Sequence, residues 1–244
     1  MGQAPASLDF ARQGQLCRAT DLTSPTHGEG ERWGLSALRG RLTELVGGAD
    51  SANITIAARL ILHAQREGDF AAWVATHRDV FFPPDVAAAG IDPAALPVVW
   101  AVPEEASPRS AGRLNSAERS VTTIGTRPRI ARSATRASRA AERLLRSGAF
   151  GLVVIDLARD LTLSAASQGR LVRLAEHHDA QVLILRRKRE DGIYSGSLVT
   201  VRAESSCERI GPGRFRATIT NTKDKREGPG WTTSEEFDGP PGLY

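Results

Sequence analysis

Apolar residues fall into short blocks along the chain, separated by polar stretches containing Gly or Pro. The block at residues 42–46 (LTELV) predicts a strand. The segment that follows, NITIAARLILHAQRE, puts Ile56, Leu60 and Ile61 on one face at helical spacing, and Gly68 supplies a stop. Asp50 and Ser51 stand where side-chain oxygens could cap that helix. Residues 70–74 and 98–102 predict two buried strands, with a short helix and turn in PPDVAAAGID between them. RASRAAERLLRS, residues 136–147, is amphipathic and predicts a helix. FGLVVIDL, residues 150–157, has the clearest strand pattern in the chain and carries Asp156 at its C-terminal end. A helix over 164–178 and a buried strand over 181–185 (QVLIL) follow. SLVTVRAE and RFRATITNTK alternate apolar and polar residues around ERIGPG, which predicts an antiparallel hairpin.

Repeated strand–helix units predict an α/β fold: a mostly parallel central sheet flanked by helices, with right-handed crossovers and a C-terminal antiparallel hairpin on one edge. Three stretches depart from this rhythm. Residues 1–30 form a polar N-terminal arm, residues 105–134 an insertion rich in Ser, Thr, Pro and Arg, and residues 231–244 a Gly/Pro-rich peripheral tail. The core is expected over residues 31–230.

Composition narrows the class. Apolar content of 41% suits a globular domain, and 244 residues suffice for one sizeable core. No apolar run reaches about 18 residues, so no membrane helix is expected. The N-terminus lacks a signal-peptide core, and Cys17 and Cys207 stand alone, which favours reduced thiols and a cytoplasmic location. His27, His63, His77, His177 and His178 form no metal-ligand spacing, so no metal is expected.

Charge adds more. The net charge is only +4, yet 29 of the 32 basic residues are Arg. Ten of them fall in residues 109–146, against the two acids Glu118 and Glu142. Arg186, Arg187, Lys188 and Arg189 make a second cluster after an apolar run. Such concentration favours a polyanionic partner over a merely solvated face.

The ordered pieces resemble the ATP-binding core of the RecA superfamily. ELVGGADSANITIAARLILHAQREG is similar to that family's strand, P-loop and first helix, and FAAWVATHRDVFFPPDVAAAGID to the next strand and small helix. RAAERLLRSGAFGLVVIDL is similar to the helix and Walker B strand, and SLVTVRAESSCERI with RFRATITNTKDKREGPG to the closing hairpin. The resemblance covers residues 35–230, apart from the Arg-rich insertion.

The departures from the family pattern sit in the phosphate-binding loop. G-x-x-x-x-G-K-[ST] needs a second glycine, a lysine for the phosphates and a hydroxyl for magnesium. After Gly47, those places hold Ala52, Asn53 and Ile54. The loop is therefore vestigial, with Gly47, Ser51, Asn53 and Thr55 as its polar or turn-forming remnants. Asp156 is the Walker B-like carboxylate, expected to be held by turn amides. The family's water-activating glutamate falls near His77, with no Glu present. No cofactor and no catalytic residue are expected.

By size, loop degeneration and arginine content the chain resembles the RecA-like ImuA group of damage-induced mutagenesis. That resemblance implies a non-catalytic accessory protein in DNA repair and translesion synthesis, a pseudo-ATPase of the SOS response. Its implied partners are RecA, a Y-family polymerase-like protein of the ImuB type and DNA, with no membrane. By the same resemblance, DNA-binding loops would fall at residues 158–169 and 186–196. The candidate nucleic-acid or partner contacts are Arg186, Arg187, Lys188, Arg189 and Tyr194, with Arg127, Arg129, Arg132 and Arg136. Two alternatives stand beside this reading. One is a divergent ATPase using Asp156 with Arg39, Arg41 or Asn53 on phosphate. The other is a SulA-like cell-division inhibitor acting on FtsZ.

Overall fold

A computed structural model describes residues 32–48, 50–78, 81, 83–102, 126–158, 161–188 and 196–239, with side chains of the long fourth helix described from residue 132 onward. The N-terminal arm, residues 103–125 of the insertion, Arg189 and Tyr194 lie outside the described residues.

The chain runs α1 (Leu35–Leu38), β1 (Leu42–Gly47), α2 (Asn53–Glu67), β2 (Phe70–Ala75) and α3 (Pro83–Ala88). A 3-10 turn (Pro93–Ala95), β3 (Val98–Trp100), α4 (Thr126–Arg146), β4 (Phe150–Asp156), α5 (Ala165–His178) and β5 (Gln181–Arg187) come next. β6 (Val201–Gly211), β7 (Arg214–Asp224) and β8 (Thr232–Asp238) complete it. One eight-stranded sheet results, in the order β3-β2-β4-β5-β1-β6-β7-β8. Pairings from β3 through to β6 are parallel, while β6–β7 and β7–β8 are antiparallel.

The central strands are buried on both faces, which explains their near-continuous apolar runs. Alternation still sorts their side chains. Leu152 and Val154 of β4 pack with Ile56, Leu60 and Ile61 of α2, whereas Val153 and Ile155 face Ala137, Ala141 and Leu145 of α4 and Leu171 of α5. The chain moves from β1 towards the β3 edge with α2 on one face. It returns through β4 and β5 with α4 and α5 on the other, as crossovers of one hand require. Adjacent strands β2 and β4 therefore send their following segments to opposite faces, and a crevice forms at such a point.

Several expectations need correction. β3 is an edge strand, not a buried one, and Trp100 is exposed. Residues 231–239 of the tail are not peripheral: β8 joins the sheet on β7, and Trp231 is buried. The insertion is helical from Thr126, ten residues before the apolar pattern predicts (136 − 126), so half of its Arg-rich character belongs to α4. β5 runs two residues past QVLIL and takes in Arg186 and Arg187.

Candidate functional site

The C-terminal edge of the parallel strands brings together three sequence features: the β1–α2 turn, the end of β4 and the end of β5.

The β1–α2 turn is closed by its own side chains. Asn53, buried in the first turn of α2, donates from Nδ2 to the Arg186 carbonyl at 2.9 Å and to the Leu45 carbonyl at 3.4 Å. Its Oδ1 accepts from the Ser205 hydroxyl at 2.6 Å. One amide thus ties α2 to β1, β5 and β6. A Cβ built on Gly47 would lie 2.1 Å from the Ser51 Cβ and 3.0 Å from the Asn53 Oδ1, so only glycine fits there. The backbone is pinned as well: Lys188 N–H donates to the Gly47 carbonyl and Cys207 N–H to the Asp50 carbonyl, each at 2.7 Å.

Other residues of the turn also serve packing. Ala52 is the N-cap residue at φ −93°, buried in the core, so the position needs no positive φ after all. Neither Asp50 nor Ser51 caps α2 by a side-chain hydrogen bond, contrary to the capping expectation. Ile54 is half-exposed and Thr55 partly so. Burial, followed by the nearby Asp50 and Glu208 carboxylates, pushes the Cys207 thiol beside this turn above its ordinary range.

At the end of β4, Asp156 is 5% exposed. Its backbone carbonyl accepts from both the amide and the hydroxyl of Thr76, each at 3.0 Å, and that hydroxyl accepts from Ala158 N–H at 2.8 Å. Its carboxylate is not held by turn amides as expected: Oδ1 lies 3.2 Å from His77 Nε2, while Oδ2 is buried without a hydrogen-bond partner. The pair sits where β2 and β4 diverge. No group of three or more His, Cys, Asp or Glu side chains able to hold a metal occurs among the described residues.

The arginines separate into two kinds. Arg186 is 4% exposed, and its guanidinium donates to Glu44 Oε1 at 3.1 Å. Glu44 is fully buried and takes Arg202 Nε on Oε2 at 2.6 Å. Arg186 is therefore removed from the candidate contact surface: it shares the face of Val182 and Ile184, which is covered by α4 and α5, and meets Glu44 there. Arg187 is exposed, and Lys188 pairs with Glu204 at 2.7 Å. Arg132 and Arg136 are exposed on α4, and Arg136 also donates to the Val102 carbonyl at 2.9 Å. Arg127 and Arg129 lie on the α4 backbone, with side chains outside the described residues.

Arg139, Arg143 and Arg146 are not among the candidate contacts read from the sequence, although the successive steps of four and three residues from Arg132 through Arg136 to Arg146 were the available signal. The expectation of Arg39 and Arg41 as phosphate ligands is contradicted by the structure. Arg39 pairs with Asp69, and Arg41 is buried against Asp224 at 3.0 Å. Both precede β1 and so stand at the opposite edge of the sheet from the β1–α2 turn.

No family model matches the chain, and no curated protein matches it significantly. Among the described residues no helix is long and apolar enough to cross a membrane.

Proposed function

We propose that the chain is a non-catalytic, RecA-like accessory protein of DNA repair and damage-induced mutagenesis. It binds DNA, and through it or beside it RecA and a Y-family polymerase-like partner, in the cytoplasm and without a cofactor. The observation that carries the reading is the β1–α2 turn. Where the resembled family holds phosphate, Ser51 and Asn53 fill the space beside Gly47, and the turn itself carries no lysine. What remains exposed and strongly charged is arginine, chemistry suited to phosphate backbones and acidic surfaces.

The experiment is binding by the intact chain. Fluorescence anisotropy on labelled DNA should show affinity that falls steeply with salt, and immobilised protein should retain RecA filaments or the polymerase-like partner. A chain that binds none of these ends the proposal.

The divergent ATPase is kept as a second reading on one observation, the unpartnered Asp156 Oδ2 at the point where β2 and β4 diverge. A carboxylate oxygen buried there without a partner would suit a cation brought in by a nucleotide.

A further inference from the structure

We propose that the arginine ridge of α4 is a docking surface for the phosphate backbones of duplex DNA. This rests on the DNA-binding half of the function proposed above and assigns it to a place and a form of nucleic acid.

The ridge follows from spacing. At about 100° per residue, Arg132, Arg136, Arg139, Arg143 and Arg146 fall within an arc of about 80° on one face of α4. They span about 21 Å along the axis at about 1.5 Å per residue. All five are exposed, while Ala134, Ala137, Ala141 and Leu145 bury the opposite face against the sheet. Among the described residues none of the five makes an ion pair. The one acid of this helix, Glu142, is turned aside and held by Arg170 of α5 at 2.8 Å. The upper part of the ridge borders a surface hollow of about 270 Å³ lined by Arg132, Thr135, Arg136 and Arg139.

Charge complementarity selects the occupant. Five guanidiniums with no ion-pair partner among the described residues, over about 21 Å, form a line of charge at about 5 Å intervals, which suits a dense anion. Duplex DNA presents one phosphate per about 1.7 Å of axis and is straight on this length scale, as α4 is. A narrow ridge also fits between two backbones, because the major groove admits one helix. A protein partner would look for an apolar patch, and the exposed large apolar side chains among the described residues are Ile54, Phe70 and Trp100, none on α4. Single strands are gripped by aromatic stacking, and no described residue of the ridge is aromatic.

The test uses the intact chain, a fluorescein-labelled duplex of about 30 base pairs and a single strand of the same length, long enough to exceed one site. R132A/R139A/R143A should lose at least tenfold in duplex affinity near physiological salt, and its log–log salt slope should fall by about 3, one per phosphate contact removed. R132K/R139K/R143K should recover most of that loss. R66A/R209A/R226A, which removes equal charge from exposed arginines elsewhere, should bind as wild type does. Circular dichroism and a thermal melt confirm that each variant is folded.

Duplex binding by R132A/R139A/R143A equal to wild type overturns the inference, even if wild type binds DNA and the broader function stands. Tighter binding of the single strand, with the loss confined to it, overturns the choice of duplex. If wild type binds no DNA but the ridge variant sheds a protein partner, the ridge is a protein surface. The inference then falls while the accessory function survives.

Discussion

Arg186 and Arg139 both belong to arginine-rich stretches of similar appearance, yet one is inside the molecule and the other outside. The RRKR stretch begins within β5, where alternate residues point to opposite faces. Arg186 shares the face of Val182 and Ile184 and meets Glu44 there; Arg187 shares the face of the buried Leu183 and Leu185 but is exposed at the end of the strand. The arginines of α4 recur every three or four residues and gather on one outward face instead. The setting of a basic residue depends on where its element carries it, not on the density of charge around it. The buried Arg186 ties β5 to β1, whereas the exposed arginines of α4 make no ion pair among the described residues.

Breaking the inner set should have the largest effect. Glu44→Ala would leave Arg186 and Arg202 facing a lost carboxylate in the core. The expected cost is about 3–5 kcal/mol, seen as a much lower urea midpoint. A shift under about 1 kcal/mol would mean that Arg186 reaches solvent and belongs with the outer set.

Next comes the turn. Asn53→Lys places a lysine where the resembled phosphate-binding loop carries one but removes the bonds to Arg186, Leu45 and Ser205. It should destabilise the fold by about 3 kcal/mol, roughly one per hydrogen bond lost, and should confer no nucleotide binding. Thermal melts with and without Mg-ATP check both halves; a nucleotide-dependent rise in Tm would show that the turn still opens onto a phosphate site.

The outer set should hardly register in stability. Arg139→Ala lies on an exposed helix face and should change the unfolding free energy by no more than about 0.5 kcal/mol. A larger loss would make α4's arginines structural, like Arg186.

The smallest effect concerns Cys207. Its raised thiol pKa lowers the thiolate fraction at any pH below that pKa. Alkylation near pH 8 should therefore be slower than for an unstructured cysteine peptide and should catch up only as the pH rises through the elevated value. Reaction at the peptide's rate would show that burial and the Asp50 and Glu208 carboxylates do not act on it.

Much of the fold was legible because β4 and β5 are buried on both faces and carry the unbroken apolar runs LVVI and VLIL, and α2 shows a clear stripe ending at Gly68. The first half of α4 was hidden. Its inner face is built from small residues such as Ser133, Ala134, Ala137 and Ser138, which give little hydrophobic signal beside so many arginines. β8 was hidden for a related reason: TTSEEFD is mostly exposed at a sheet edge, and pairing with β7 places it there, not its own apolar content.

The candidate site was legible in part. That the turn lacks a lysine and a magnesium-binding hydroxyl at residues 53 and 54 could be read from Asn53 and Ile54, but the bonds of Asn53 needed Ser205 and the Arg186 carbonyl, both more than 130 positions away. The His77–Asp156 pair likewise depends on the β2–β4 register, which aligns Ala75 with Asp156.

Titration of Mg-ATP into the intact chain by calorimetry tests the central claim most directly, that the β1–α2 turn is filled by its own side chains. With Asn53 engaged on three strands and Ser51 against Gly47, no saturable heat is expected up to millimolar nucleotide. A one-site isotherm with micromolar affinity would contradict the claim and make Asp156 Oδ2, rather than the α4 ridge, the place where function resides.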